Sequence, residues 1–181
     1  GAPLTESSLD RLIETVLRYY EGEDRPVTDI VVPDQDLTEG TIEMVVVDGV
    51  VGSVGMQTGG IFNDELLSGA IHLQRGEILL SSELQRHLDW FNRNPFRPAA
   101  LYAAPGKNQG EADLVFALSE RRAWRVYGGY ENSGAEVSGE HRFLTGFNWG
   151  DAFGHDTLLS YQFTSAESPD ELRAHAVRLE I

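Results

Sequence analysis

Three residues of the kinds that bind metal ions lie close together late in the chain: Asp151, His155 and Asp156. Carboxylate and imidazole groups are common metal ligands. Asp and His are also common in tight turns, and glycines bracket this segment, so a plain turn explains the pattern as well. We predict a turn here rather than a metal site.

The rest of the chain lacks the residue spacing of a catalytic or cofactor site. The remaining histidines are scattered without metal-ligand spacing: His72, His87, His141 and His175. There is no cysteine, which excludes disulfides, thiolate metal sites and a thiol nucleophile. Neither a His-Glu-x-x-His nor a Gly-x-Ser-x-Gly motif occurs. We predict that the chain is not an enzyme and binds no cofactor or metal.

The charge is strongly acidic. Aspartate and glutamate number 29 against 14 lysines and arginines, a formal net charge of -15. Phosphate binding needs a positive surface, so we predict no nucleic-acid partner. No apolar run is long enough for a transmembrane helix. The abrupt start at Gly1 is typical of a mature or excised piece.

Aromatic side chains gather in the later part of the chain, among them Trp124, Tyr127, Tyr130 and Trp149. Their flat faces could stack on sugar rings. The same residue types also form the aromatic belts at membrane–water interfaces. The sequence leaves these two interpretations open, together with burial in an ordinary core.

The stretch from Ser81 to Ser119 has the clearest organisation. Ser82 followed by Gln85 predicts a capped helix start, and Asn94-Pro95 predicts its end. The apolar stripe of that helix is Leu84, Leu88 and Phe91. A short apolar strand over Ala99–Ala103 follows. Pro105-Gly106 and Gly110 then bracket a hairpin loop, and the buried face of the next strand is Leu114, Phe116 and Leu118.

Residues 5–47 repeat this helix–strand–strand order. A helix is predicted over 5–20 from its apolar stripe, and strands over Val27–Val32 and Thr41–Val47. The turn-rich connection between the strands contains Pro33, Asp34, Asp36 and Gly40. Between the copies, Val50–Gln57 predicts a strand. A short helix over Asn63–Ile71 is capped by Asn63 and has the predicted buried face Leu66, Leu67, Ala70 and Ile71.

After Arg122 helical periodicity gives way to alternation. The alternating sets are Trp124, Val126 and Tyr130, then Phe143, Thr145, Phe147 and Trp149, then Leu159, Tyr161 and Phe163. Consecutive two-faced strands are typical of a transmembrane barrel and also of a half-buried sheet in a soluble protein. Periodicity alone favours the soluble sheet.

Several of these segments together match a known family. They are Pro33–Leu37 (PDQDL), Leu88–Arg97 (LDWFNRNPFR) with Pro105-Gly106 and Asp113-Leu114, Arg122–Gly134 (RAWRVYGGYENSG), Gly139–Gly154 and Leu159–Phe163. In that order they resemble a turn of the first POTRA domain, the second POTRA domain, the start of the barrel and its next strands. The family is that of the two-partner secretion outer-membrane transporters, of the hemolysin-activator and filamentous-hemagglutinin-secretor type.

The resemblance implies an α+β fold, with tandem POTRA-like units followed by antiparallel strands of a truncated barrel. Each unit has the order strand, helix, helix, strand, strand, and the first is incomplete. The predicted domains are a partial first POTRA-like unit over 1–49, a second over 50–120 and initial barrel strands over 121–181. Because these strands are too few to close a barrel, we expect a fragment of a transporter, mostly its periplasmic part.

The resemblance also implies a function. The protein would lie in the outer membrane of a Gram-negative bacterium, with the POTRA-like part in the periplasm. There it would capture a secreted partner protein in extended form by strand addition and pass it to a β-barrel pore. The implied edge is the Ala99–Ala103 strand, and the predicted client-binding residues are Arg97, Ala99, Leu101, Tyr102 and Ala103.

Two alternatives stay open at this stage. The alanines of the 99–103 strand could simply pack under Leu88 and Phe91. The whole chain could instead be a soluble carbohydrate-binding or adaptor module with a glycine- and aromatic-rich β half. In the transporter interpretation, exposed strands also predict possible self-association.

Overall fold

The computed structural model describes residues 5–26, 28–35, 40–132, 141–170 and 172–181. These residues form two compact units, one from Gly1–Gln57, His72–Asp89 and Ala100–Ala117, the other from Thr58–Ile71, Trp90–Ala99 and Leu118–Ile181. Predictions for Val27, Asp36, Leu37, Ser133, Gly134 and Gly139 fall outside the described residues. None of the described helices is long and apolar enough to cross a membrane.

The elements follow the predicted order closely. The helices are α1 (Glu6–Gly22), α2 (Asp64–Gly69) and α3 (Ser81–Asn92). The strands are β1 (Thr28–Val31), β2 (Val45–Asp48), β3 (Val50–Gln57), β4 (Ala99–Pro105), β5 (Glu111–Leu118), β6 (Trp124–Glu131), β7 (Arg142–Ala152), β8 (Thr157–Ala166) and β9 (Arg173–Glu180).

The first helix and strand pair repeat the order of α3, β4 and β5, as the sequence predicted. β1 and β2 pair antiparallel, with Thr28 opposite Asp48. Gly40 and Gly110, which precede the second strand of each pair, have φ angles of 72° and 80°. Glycine adopts this left-handed conformation without the steric cost that a Cβ brings.

The prediction that the second strand starts at Thr41 is wrong, because β2 begins only at Val45. The side chain of Gln35 explains the late start. Its amide donates to the Glu43 carbonyl at 2.9 Å, and its carbonyl accepts from the Glu43 N–H at 2.7 Å. A side chain therefore takes the hydrogen bonds of Glu43 that a neighbouring strand would otherwise make.

A three-stranded sheet with the order β3-β5-β4 forms the best-buried part of the first unit. β3 runs parallel to β5, with Val50 opposite Glu111. The core beside it consists of Val51, Leu79, Ala112 and Leu114, with Val54, Leu73, Leu84 and Leu101 packed against it. The outer edge of β3 is partly covered, because Val51 exchanges backbone hydrogen bonds of 2.8 Å with Gly76 and Glu77.

Two helix predictions need correction. Ser82 does not cap α3, which begins at Ser81. Instead its N–H and hydroxyl donate to the Asp24 carboxylate at 2.8 and 2.5 Å, and these bonds lower the pKa of Asp24. Gln85 donates to Asp89 rather than back to the helix start. In α2, Asn63 is the cap as predicted, but of the predicted buried face only Leu67 is buried.

His87 on α3 is buried beside the rings of His72 and Phe116. Burial is the main cause that lowers the pKa of His87 from its ordinary 6.5, opposed by Glu83 and aided by His72 and Arg86. The unfolded chain therefore binds a proton at a pH where folded His87 stays neutral. Buried, neutral His87 is therefore fully compatible with the folded state above pH 6.5. Below that pH the free energy of unfolding declines, and it does so until the pH has fallen through the lowered pKa that His87 has in the folded state.

We expect the replacement of His87 by Leu to flatten the decline of stability below pH 6.5. The free energy of unfolding of the wild type should fall more steeply with pH than that of H87L. The difference in slope is at most about 1.4 kcal/mol per pH unit, the value for the uptake of one proton. Urea unfolding at pH 7.5, 6.5 and 5.5 measures it. The exposed His155→Gln variant is the control and should keep the wild-type slope. If the stability of H87L falls below pH 6.5 as steeply as that of the wild type, the protonation of His87 is not the cause of the decline.

The second sheet is antiparallel and has the order β6-β7-β8-β9. Its first three strands match the predicted alternating segments. β9 pairs with β8 from Leu158 opposite Glu180 to Ser165 opposite Arg173. The sequence did not predict β9, because small and charged residues interrupt its apolar alternation.

Candidate functional site

β4 is an edge strand of the three-stranded sheet, because only β5 lies beside it in the described part of the chain. Its residues are mostly small, and most are exposed: only Ala99 and Leu101 are half-buried. An edge strand presents unpaired backbone N–H and C=O groups to which another strand can bind. The structure thus places the predicted 99–103 strand at a sheet edge, while its binding of a client remains a prediction.

Two hydrogen bonds fix the register of the β4–β5 hairpin. The Gly106 N–H donates to the Glu111 carbonyl at 2.7 Å, and the Ser119 N–H donates to the Pro98 carbonyl at 2.8 Å. In an antiparallel pair, every second residue turns its peptide groups toward the partner strand. Even-numbered residues of β4 therefore face β5. Odd-numbered residues, Ala99 to Pro105, turn their N–H and C=O groups toward the open edge.

The outward peptide groups are not equivalent. Those of Leu101 and Ala103 hydrogen-bond to no other group among the described residues. Ala99 is bonded to the side chain of Asn92. Pro105 has no N–H to donate. The edge that is open for pairing is therefore short.

The side chains of the predicted client-binding residues lie in different environments. Leu101 packs against the core of the first unit, so its side chain serves the fold. Tyr102 is 63% exposed and Ala103 is exposed as well. Tyr102 is thus the large side chain on β4 that a bound segment could contact.

Arg97 requires a correction. The sequence predicted it as a client-binding residue, but its side chain is fully buried. Its guanidinium donates to both carboxylate oxygens of Asp156, at 2.9 and 2.5 Å, and to the Phe91 carbonyl at 2.7 Å. The rings of Trp90 and Phe91 lie beside it. Arg97 therefore holds the second unit together rather than meeting a partner.

Asp156 is the centre of a polar cluster in which Asp156, Arg97 and Asn94 are buried and Arg93 is exposed. The Asn94 amide donates to Asp156 at 2.9 Å and to the Gly150 carbonyl at 2.5 Å, and Arg93 donates to Asp156 at 3.1 Å. The Asp156 N–H in turn donates to the Asp151 carboxylate. The His155 ring hydrogen-bonds to the Phe153 carbonyl at 2.6 Å. All three residues first considered as metal ligands are thus engaged with protein groups, and the segment that follows Ala152 is a turn, as predicted.

The four-stranded sheet has one aromatic and aliphatic face and one polar face. Cross-strand pairs put Trp124 opposite Trp149, Val126 opposite Phe147, Phe147 opposite Tyr161, and Tyr161 opposite Val177. Much of this apolar face is bare, with Val126 and Val177 each 69% exposed. The other face carries Arg125, Asn148, Ser160, Gln162 and Arg178. Apolar residues toward lipid and polar residues toward the lumen are the pattern of outer-membrane strands.

Comparison with known proteins gives the class of this chain. No protein-family model matches it. It is 25% identical to the heme/hemopexin transporter protein HuxB of Haemophilus influenzae over 170 residues, 90% of this chain and 30% of the relative. It is 28% identical to the outer membrane transporter CdiB-2 of Burkholderia pseudomallei over 144 residues, 77% of this chain and 24% of the relative.

A solved structure of a transporter has a similar fold. The fold matches CdiB from Escherichia coli with a TM-score of 0.69, covering 90% of this chain and 30% of that one, at 16% identity. The match confirms the predicted fold class, POTRA-like units with antiparallel strands that resemble part of a barrel.

In sequence and fold, the chain resembles a part of an outer-membrane transporter with POTRA-like units. Within that class, the chain resembles the two-partner secretion transporters, as its motifs predicted. The relatives agree with the predicted location, the outer membrane with the POTRA-like part in the periplasm. The relatives are named as transporters, which agrees with the prediction that the chain is not an enzyme. The chain spans 24–30% of the length of the curated relatives it matches.

Proposed function

We propose that this chain captures a secreted partner protein in extended form and passes it to a β-barrel pore. Capture occurs by strand addition at the open edge of β4. The observation that carries the proposal is the pair of residues, Leu101 and Ala103, whose backbone groups face outward and hydrogen-bond to no other described group. Backbone hydrogen bonds suit a client that is still unfolded, because they require no particular side chain.

The second half of the proposal concerns the four-stranded sheet. Its exposed apolar face suits the hydrocarbon of the outer membrane, and its polar face suits a water-filled lumen. In this interpretation Trp124 and Trp149, which lie opposite each other, belong to an aromatic belt. The domain boundaries 1–49, 50–120 and 121–181 are part of the same proposal.

We expect the replacement of Ala103 by Pro to weaken strand addition about fivefold or more. Proline removes the outward N–H, a loss of about 0.5–1.5 kcal/mol, and its ring obstructs the approach of another backbone. Ala103 suits this test better than Leu101, whose side chain packs against the core. Since the N–H of Ala103 does not pair with β5, the hairpin itself should survive.

The probe is a nine-residue peptide that alternates Thr and Val between terminal lysines, and its affinity is measured by fluorescence anisotropy. Ala103→Ser, which keeps the N–H, is the control and should bind like the wild type. Circular dichroism checks that both variants are folded. Equal affinity of A103P and A103S for the peptide would contradict capture at this edge.

A further inference from the structure

The side chain of Asn92 occupies a backbone pairing position on the β4 edge. Its carbonyl accepts from the Ala99 N–H at 2.8 Å, and its amide donates to the Ala99 carbonyl at 3.3 Å. A neighbouring strand would make the same two bonds, one to the N–H and one to the C=O of an outward-facing residue. Asn92 thus imitates one residue of an added strand.

The position of Asn92 is fixed by the helix before it and by the loop after it. α3 ends at Asn92. The loop that follows is fixed by two buried side chains, Asn94 bonded to Gly150 and Arg97 bonded to Asp156. The two asparagines of the segment Asn92–Pro95 therefore have distinct roles. Asn94 anchors the loop, and Asn92 pairs with the strand to which the loop leads.

We propose that Asn92 is an end-stop that limits strand addition to Leu101 and Ala103. The inference rests on the proposed function. At the other end of the edge, Pro105 offers no N–H, so both ends are closed to further pairing. The site therefore accepts a short extended segment in one register, rather than a long strand that can slide.

The same geometry describes the segment that fits. Tyr102 lies between the two outward-facing residues, and its own peptide groups face β5. The bound residue opposite it forms a non-hydrogen-bonded pair, in which side chains approach most closely. An apolar or aromatic residue at that position would pack on the exposed Tyr102 ring. The net charge of -15 favours a segment with basic flanks.

Disulfide mapping of the register tests the end-stop. The chain has no cysteine, so Tyr102→Cys provides a single thiol at the edge. Non-hydrogen-bonded pairs have Cα atoms about 4.5 Å apart, within the range that a disulfide bridges. The probes are the lysine-flanked Thr-Val peptides with one cysteine scanned through every position. The matched control is Val115→Cys, an exposed thiol on the central strand β5, where no strand can be added.

With Asn92 present, we expect cross-linking to concentrate at one peptide position. Asn92→Ala frees Ala99, so a second position two residues away should cross-link too. Affinity should rise about 3- to 10-fold, as one or two added hydrogen bonds imply. Asn92→Asp still accepts from the Ala99 N–H but cannot donate to its carbonyl, so it should fall between the two.

The outcomes separate the inference from the proposed function. If N92A and N92D keep the wild-type position and affinity, Asn92 only stabilises the loop, and the end-stop is wrong while strand addition stands. If no peptide cross-links to the thiol at position 102 beyond the level of the thiol at position 115, in any variant, then strand addition at this edge is itself wrong.

Discussion

Replacing Asp156 by Asn is expected to destabilise the second unit by about 3–5 kcal/mol, the cost of leaving a buried charge without its partner. Arg97 is 0% exposed, so its guanidinium does not contact solvent. In D156N it would face a neutral amide in place of the carboxylate that accepts two of its hydrogen bonds. Asn94 and Arg93 would lose part of the same acceptor.

Hydrogen exchange measures this effect locally. The Arg121 N–H, bonded to the Phe96 carbonyl at 2.8 Å, reports the opening of the loop that carries Arg97. Its protection should fall by roughly a hundred-fold to a few thousand-fold, the equivalent of about 3–5 kcal/mol. The exposed Asp89→Asn variant is the control, since surface changes of this kind stay within about 0.5 kcal/mol.

A double variant separates charge from packing. Replacing Arg97 by Met together with Asp156 by Asn leaves no buried charge unpaired. Asn also tolerates the left-handed backbone at position 156 (φ 53°) and keeps an acceptor for Asn94. We therefore expect the double variant to recover most of the protection that D156N loses. If D156N and the double variant lose the same protection, the buried charge is not the cause, and the cluster acts through its shape alone.

The sequence predicted elements better than it predicted the partners of polar side chains. Strand alternation and helical stripes depend on neighbours a few residues apart. β3 was accordingly predicted to the residue, and α1 to within two residues at each end. Arg97 and Asp156 are 59 positions apart. Arginine at the end of a short loop is usually exposed, and nothing local indicates that a carboxylate from another strand will bury it.

The same reasoning explains the errors at element ends. Ser82 has the right type and place for a cap, but Asp24 lies 58 positions away and takes its donors. The amide of Gln35 takes the backbone groups of Glu43 and delays β2. Asn92 follows the same principle at the candidate site. There the side chain of Asn92 takes the place of a neighbouring strand. The one sequence signal for this pairing is the position of Asn92 at the end of α3, just before a loop that ends in proline.

Two adjacent residues of β9 test whether the apolar face of the second sheet contacts lipid. Val177 lies on the apolar face opposite Tyr161, and Ala176 lies on the polar face opposite Gln162. Arginine at either position has room, because both side chains are exposed. Val177→Arg should weaken the binding of the chain to lipid vesicles, because an arginine on a face that contacts hydrocarbon costs up to about 2–4 kcal/mol. Ala176→Arg, which faces the polar side, should cost much less.

Flotation of the two variants with phosphatidylcholine vesicles measures the difference in binding, and urea unfolding of the same pair in lipid-free buffer is the control. Without lipid, both arginines meet water, so the two variants should be equal. A large difference in lipid and none without it follows only if the apolar face meets hydrocarbon. If V177R and A176R are equal in lipid too, that face does not contact the membrane. The exposed aromatic residues would then need another partner, and the carbohydrate-binding interpretation would be the next to test, because stacking on sugars is the other use of such rings.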